Sequence, residues 1–265
     1  MRNKTPLSIV QVEEACPSAF HKTAHPNRSE RYVHLPTSEL ITSMMDNGYG
    51  VSRAQQKQTR SSEAMNFTRH LLAFRPVESF DKQVIVGDAT PEILLVSSHD
   101  GTTAFRLFVG MFRFVCANGL MAGDTFANET IYHRGDAAEQ MVTKSDALMQ
   151  EYVPKLKHWV ETAQDTDLTS RQQNAFAEKA MQIRHGEDTP YDHKLLLHAK
   201  RDEDKGDNVW RVYNRVQENL MQGGIEGRSA TGRRSVLRPI NRVTKDVTYN
   251  QQLWDLASTH LKEAA

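Results

Sequence analysis

The chain has 265 residues, of which 38% are hydrophobic and 25% charged, and its 33 lysine and arginine residues balance 33 aspartate and glutamate residues. This length allows a buried core. Because the net charge is zero, general attraction to nucleic acid or membranes cannot be argued from total charge, and any such binding must come from local clusters of charge. The two cysteines, Cys16 and Cys116, lie in no metal-ligand spacing, which argues against both a zinc finger and a disulfide framework.

The first 62 residues are expected to form a partly irregular N-terminal extension, because turn formers interrupt their apolar residues. Helical spacing is found from Thr37 to Met45, where Thr37 or Ser38 can cap the first turn. The run from Ser52 to Ser62 contains almost no apolar residue. That composition predicts an exposed basic segment.

The residue pattern over 63–135 predicts a mainly antiparallel sheet arranged as a β-meander. Short runs rich in β-branched and aromatic residues recur between turn formers, and each is read as a strand. These runs lie at 67–74, 84–86, 93–96, 104–109 and 111–116. The run at 67–74 is ambiguous between strand and helix, and we favour a strand.

The spacing of apolar residues over 136–265 predicts helices packed on this sheet. Apolar residues recur at helical spacing in 137–164, where Pro154 is expected to kink or split the helix, and in 168–184, 209–221 and 250–262. The predicted class is therefore α+β, with a single domain at 63–265 made of a sheet part (63–135) and a helical part (136–265).

The most prominent local charge is a basic segment that we define as residues 228–245. It has six cations and no acid in eighteen residues. Arginine offers a planar fork for phosphate oxygens, which predicts a loop or hairpin that grips a nucleic-acid backbone. The alternative is a solvated basic loop paired with acids such as Asp202-Glu203-Asp204. The predicted contacts are Arg228, Arg233, Arg234, Arg238, Arg242 and Lys245.

Arg106 and Arg113 are second candidates, because each stands between aromatic or apolar residues of a predicted strand. Alternation along the strand places Arg106 and Phe108 on one face and Phe105 and Leu107 on the other. Aromatic rings beside cations on an open sheet could stack bases. In the alternative, the phenylalanines are core residues and the arginine stems extend over them to water.

Catalytic signatures have little support. His99-Asp100 is interpreted as part of a turn, because a metal site needs further ligands at defined spacings, and Cys116 as a core thiol. The chain has no Walker A, GxGxxG or GxSxG motif. We therefore predict no catalytic residue, metal or cofactor, and lean against an enzyme. No apolar run suits a signal peptide or a membrane span, which favours the cytoplasm.

Ser98-His99-Asp100-Gly101, followed by Arg113-Phe114-Val115-Cys116-Ala117-Asn118-Gly119, resembles the signature of a functionally unassigned family of phage- and plasmid-borne proteins that also occurs in prophages. The helix from Trp210 to Asn219 resembles a later element of that family. The resemblance covers about residues 60 to 262 and implies an accessory protein of a mobile element, in the cytoplasm of a bacterial host. At the level of fold, the order of sheet and helices is similar to phage single-strand annealing recombinases.

The leading functional prediction is sequence-tolerant binding of nucleic acid, with single-stranded DNA favoured, in recombination or annealing by a homo-oligomer. The alternative is a counter-defence or regulatory protein that blocks a host complex. A metal-dependent nuclease using His99 and Asp100 is a third and weaker hypothesis.

Overall fold

A computed structural model describes residues 5–23, 25–26, 34–57, 59–81, 89–100, 103–113, 119–121, 128–131, 136–228 and 232–264. The chain divides into two compact units, Met1–Lys155 and Leu156–Ala265. The first unit holds a six-stranded antiparallel sheet and the second is mainly helical. This order of sheet and helices confirms the predicted α+β class.

The first unit begins with short helices that precede and flank the first strand. Helix α1 (Ile9–Ala15) starts with a capping box, in which the Ser8 hydroxyl and the Gln11 side chain each accept a backbone N–H. A 3-10 turn follows at Pro17–Phe20, and helix α2 spans Thr37–Asp46. Leu40, Ile41 and Met44 are buried along one side of α2, as its helical spacing predicts.

The first four strands of the sheet are neighbours in the same order as in the chain. Its strands are β1 (Tyr49–Gln56), β2 (His70–Pro76), β3 (Ala89–Ser97), β4 (Phe105–Arg113), β5 (Gly119–Met121) and β6 (Asn128–Ile131). Each of β1 to β4 pairs with the next, and both β5 and β6 pair with β4. The predicted meander is therefore present from β1 to β4. Short helices α3 (Ser62–Met65) and α4 (Glu78–Asp81) lie before and after β2.

The prediction of an exposed segment at 52–62 is wrong for its first half, because residues 52–56 belong to β1. Ser52 and Gln56 are buried even though neither is apolar. Their polar groups are satisfied inside the fold: the Ser52 hydroxyl donates to the Ala73 carbonyl oxygen over 3.3 Å, and the Gln56 side-chain oxygen accepts the Ser18 amide over 3.0 Å. Composition alone could not show these partners.

The prediction of two strands at 104–109 and 111–116 also needs correction, because β4 runs unbroken from Phe105 to Arg113. Gly110 does not interrupt the strand, since it pairs with Glu92 on one side and Met121 on the other. Residues 114–116, and the predicted strand at 84–86, lie outside the described residues.

Long helices dominate the rest of the chain. They are α5 (Ala137–Asp165), α6 (Ser170–His185), α7 (Val209–Gln222) and α8 (Val243–Ala264). Of the two effects predicted for Pro154, a kink or a split, the split is wrong, because helix α5 continues through this residue. Helix α8 begins seven residues before the predicted start at 250. Two 3-10 turns, His193–Leu197 and Asp202–Asp204, lie between α6 and α7. Within the described ranges, no helix has the length and apolar character needed to cross a membrane.

Helix α7 is the centre of the second unit, because almost all of its residues are buried, polar ones included. The Asn219 amide donates to the carbonyl oxygens of Leu196 and His198 over 2.9 and 2.8 Å. The Arg215 guanidinium donates to the Gln173 side-chain oxygen over 2.7 Å. These bonds satisfy buried polar groups and fasten both α6 and the segment after it onto α7.

Candidate nucleic-acid interface

The basic segment begins in a short β-hairpin and continues into α8. Strands β7 (Glu226–Arg228) and β8 (Arg234–Val236) pair antiparallel, with Arg228 opposite Arg234. The hairpin follows α7 directly, since Gly223 ends that helix with a φ of +70° that favours glycine. The Gly224 amide donates to the Leu237 carbonyl oxygen over 2.8 Å and thereby closes the base of the hairpin. Residues 229–231 lie outside the described residues.

The hairpin is fastened to the chain segment that follows α6. The Arg228 amide donates to the Pro190 carbonyl oxygen over 3.1 Å. Gly227 makes this approach possible, because a Cβ atom there would lie 2.3 Å from the same oxygen. The hydroxyls of Tyr191 and Ser235 are 2.8 Å apart, within hydrogen-bond distance. The strands of the hairpin are thus positioned by contacts on two of their residues.

The stretch after the hairpin is held by a partly buried arginine. The Arg184 guanidinium donates to the carbonyl oxygens of Leu220 and Arg238. The Ile240 amide donates to the Met221 carbonyl oxygen over 2.9 Å. These bonds tie residues 238–240 to the last turn of α7, so that the backbone of the basic segment is anchored while its charged side chains extend outward.

All six predicted contacts in the basic segment are exposed to solvent. They are Arg228, Arg233, Arg234, Arg238, Arg242 and Lys245. Arg234 forms an ion pair with Glu226 on the neighbouring strand. Of the acids named in the alternative interpretation, Asp202 pairs with Lys205, and Asp204 lies 3.6 Å from Arg201. Those two acids therefore interact with cations outside the basic segment.

His185 adds a titratable group near these cations. It ends α6, and its ring centroid lies 5.1 Å from that of Tyr191. Partial burial and the nearby charges of Arg184 and Lys245 lower the pKa of His185 below its ordinary value. Arg184 therefore extends the positive potential of the basic segment, whereas the lowered pKa favours the neutral form of His185 at neutral pH. The sequence did not single them out, because they lie more than forty residues before it.

Glu226 is an acid whose removal tests the role of its neighbours. If the basic segment binds single-stranded DNA, replacing Glu226 with glutamine should strengthen that binding several-fold at low salt, because Arg234 loses its ion pair with Glu226 and can pair with a phosphate instead. The slope of log affinity against log salt concentration, which we call the salt slope, should steepen by about 0.7. This is the change for one added phosphate contact on a single strand. Titration of a labelled oligonucleotide at several salt concentrations measures both. Unchanged or weaker binding would contradict this prediction, and Glu178→Gln, on the exposed side of α6, is the matched control.

Arg106 and Arg113, the second candidates for nucleic-acid contacts, belong to the first unit. Arg106 is exposed on β4, whereas Phe105 and Leu107 are buried. Register places Arg106 opposite Val96 and Phe108 opposite Leu94, so the predicted alternation of faces is correct. Phe108 is buried, however, and does not offer a ring for stacking, in agreement with the core alternative. Arg113 ends β4 opposite Ala89.

His99 belongs to a buried polar network just after β3, and Asp100, which is partly exposed, follows it in the chain. His99 Nε2 lies 3.1 Å from the Thr37 hydroxyl, which also lies 2.9 Å from His70 Nε2. The Ser98 hydroxyl donates to the Asp100 carboxylate over 2.6 Å. His99 is fully buried. These contacts fit the turn interpretation and join the start of α2 to two strands. In the part of the chain that the structure describes, no three His, Cys, Asp or Glu residues are grouped to hold a metal ion.

Of the two cysteines, Cys16 lies in the part of the chain that the structure describes. Cys16 is buried, and burial raises the pKa of its thiol to about 12, which keeps it protonated at neutral pH. Cys116 lies outside the described residues.

Fold and surface together define an α+β protein with an antiparallel sheet, a helical unit and an exposed basic hairpin. The chain belongs to the family described as "Domain of unknown function (DUF932)", whose model matches residues 24–254. It is similar to two proteins of Escherichia coli (strain K12), UPF0380 protein YfjQ and UPF0380 protein YafZ. Each is 33% identical over 264 residues, which cover 99% of this chain and 94% of the relative. No solved structure matches the chain.

Proposed function

We propose that this protein binds nucleic acid through the basic segment, with single-stranded DNA as the favoured ligand. The observation that carries the proposal is the set of six exposed cations on an anchored hairpin and the stretch after it. Arginine side chains on a fixed backbone lose less freedom on binding than those of a mobile loop, and their planar forks suit phosphate oxygens.

A single strand is favoured because aromatic rings lie among these cations. The Lys245 ammonium is 5.9 Å from the centre of the Tyr249 ring, which is partly exposed. The exposed His185 ring lies beside Tyr191. Bases of a single strand are free to stack on such rings, whereas those of a duplex are not.

The resemblance of the Ser98 to Gly119 stretch to phage- and plasmid-borne proteins supports a role as an accessory protein of a mobile element. In recombination or annealing, such a protein would act as a homo-oligomer that holds a strand along repeated basic segments. Size determination with and without single-stranded DNA tests this part of the proposal, and a particle that enlarges on binding DNA would support it.

The binding test uses the full chain and a fluorescein-labelled oligothymidine of about 30 nucleotides, roughly twice the largest site of a single OB-fold. Affinity should fall steeply between about 50 and 200 mM salt. Replacing Arg228, Arg238 and Arg242 with glutamine should flatten the slope by about 2 and weaken binding about 100-fold near 0.1 M salt, since each lost contact on a single strand removes about 0.7 from the slope.

The matched control replaces Arg171, Lys179 and Lys262, three exposed cations on α6 and α8, with glutamine. It changes the net charge equally and should keep the wild-type slope. Absence of binding by the wild-type chain at low salt would overturn the proposal, and so would equal losses in the two triple variants. Capture of one stoichiometric host protein by a chain that binds no DNA would favour the protein-binding alternative instead.

A further inference from the structure

A second group of cations lies on one face of the sheet, contributed by residues far apart in the sequence. Gln55, Leu71, Val96 and Arg106 are successive partners across β1, β2, β3 and β4. Side chains of paired residues project on the same side of a sheet, so Gln55 and Arg106 share a face. Arg53, two residues before Gln55, lies on this face too, and its guanidinium donates to the Gln55 side-chain oxygen.

Two further cations extend this face beyond the paired strands. The Lys57 amide donates to the Arg69 carbonyl oxygen over 2.8 Å, which continues the ladder between β1 and β2 by one step. Lys57 is two residues after Gln55, and Arg69 is two residues before Leu71, so both follow the same alternation. We call Arg53, Lys57, Arg69 and Arg106 the sheet cation cluster.

The cluster has the exposure of a binding surface. Lys57 and Arg106 are exposed, and Arg53 and Arg69 are partly exposed. Leu71 and Val96, the paired residues between them, are buried, so the cations themselves would make the contacts with a ligand. The Arg69 guanidinium donates to the Thr103 hydroxyl over 2.8 Å. Asp100, the acid that follows β3 at this end, accepts the Ser98 hydroxyl.

The width of the cluster, from β1 to β4, indicates the kind of ligand that it can bind. Strands β1 and β4 are three spacings apart, or about 14 Å. One inorganic phosphate cannot bridge that width, whereas a strand that carries a phosphate on every nucleotide can meet cations at both edges. We propose that the sheet cation cluster is a second phosphate-binding surface for single-stranded nucleic acid, additional to the basic segment. This inference rests on the proposed function and assigns to β1 and β2 a part in it.

The test uses the same oligothymidine titration with Lys57→Gln and Arg106→Gln combined, because these are the two exposed members of the cluster. Loss of two phosphate contacts should flatten the salt slope by about 1.4 and weaken binding about 25-fold near 0.1 M salt. The control combines Lys22→Gln with Lys179→Gln, two exposed lysines outside both surfaces. It should keep the wild-type slope. Far-UV circular dichroism and thermal unfolding verify that each variant is folded.

The outcomes separate the two proposals. A wild-type slope in the Lys57 and Arg106 variant, together with a loss in the Arg228, Arg238 and Arg242 variant, overturns the sheet cation cluster and leaves the proposed function standing. A loss in the sheet variant with none in the hairpin variant supports the cluster and overturns the hairpin as the contact. No binding by the wild-type chain overturns both.

Discussion

Replacing Arg201 with methionine should lower the free energy of unfolding by about 3–5 kcal/mol. The Arg201 guanidinium makes two parallel hydrogen bonds with the Glu218 carboxylate, one of them over 2.7 Å, and lies 3.6 Å from the Asp204 carboxylate. Glu218 is 2% exposed and Asp204 is fully buried. Without the arginine, two buried carboxylates lose a shared cation, and neither has enough contact with water to replace it.

Urea unfolding followed by tryptophan fluorescence measures this loss, as a lower midpoint at an unchanged m-value. The double variant Arg201→Met with Glu218→Leu should recover much of the stability, because breaking a buried pair costs more than replacing both partners by apolar groups. Arg171→Met on the exposed side of α6 should change stability by less than about 0.5 kcal/mol. A loss below about 1 kcal/mol in Arg201→Met would contradict the prediction.

Replacing Trp254 with alanine should also cost about 3–5 kcal/mol, through a cavity in the second unit. Trp254 is fully buried and stacks on Trp159 with ring centroids 3.9 Å apart and planes 25° apart. Tyr213 approaches the Trp254 ring edge-on at 5.9 Å. Loss of the indole removes both ring contacts and leaves a void that rigid helices cannot close.

Far-UV circular dichroism is the suitable probe for Trp254→Ala, since the substitution removes a fluorophore. Trp254→Phe retains a ring and should cost clearly less than the alanine variant. Leu195→Ala is a control at a residue that is 44% exposed, and it should change stability little. If the alanine and phenylalanine variants unfold at the same urea concentration, the ring stack does not stabilise the protein.

The sequence was most informative where local chemistry decides structure. The run at 93–96 forms the middle of β3 because β-branched and leucine side chains are buried there on both faces. Helix α6, predicted over 168–184, ends just before Gly186, since glycine accepts the positive φ of +74° found there. The basic segment was found because an acid-free run of cations is visible without any knowledge of the fold.

Other features depend on partners distant in the chain, and no local pattern reveals them. Strand β1 was missed because Ser52 and Gln56 are buried through hydrogen bonds to Ala73 and Ser18 rather than through apolar side chains. The sheet cation cluster needs the register of four strands, which brings Arg53 and Arg106 onto one face. Arg201 and Glu218 are seventeen residues apart, and the turn between them had to be known before they could be paired.

Strand β1 lies at one border of the sheet, where unpaired backbone groups could recruit a strand from another copy of the protein. Two features interrupt that border: the register shifts between Val51 and Arg53, and the Leu7 amide already donates to the Val51 carbonyl oxygen over 2.8 Å. A bulge and an occupied acceptor prevent a neighbouring copy from pairing along the whole of β1. Copies of this protein should therefore associate through side-chain surfaces rather than by extending the sheet at β1, and the same interruptions protect this border against amyloid-like stacking.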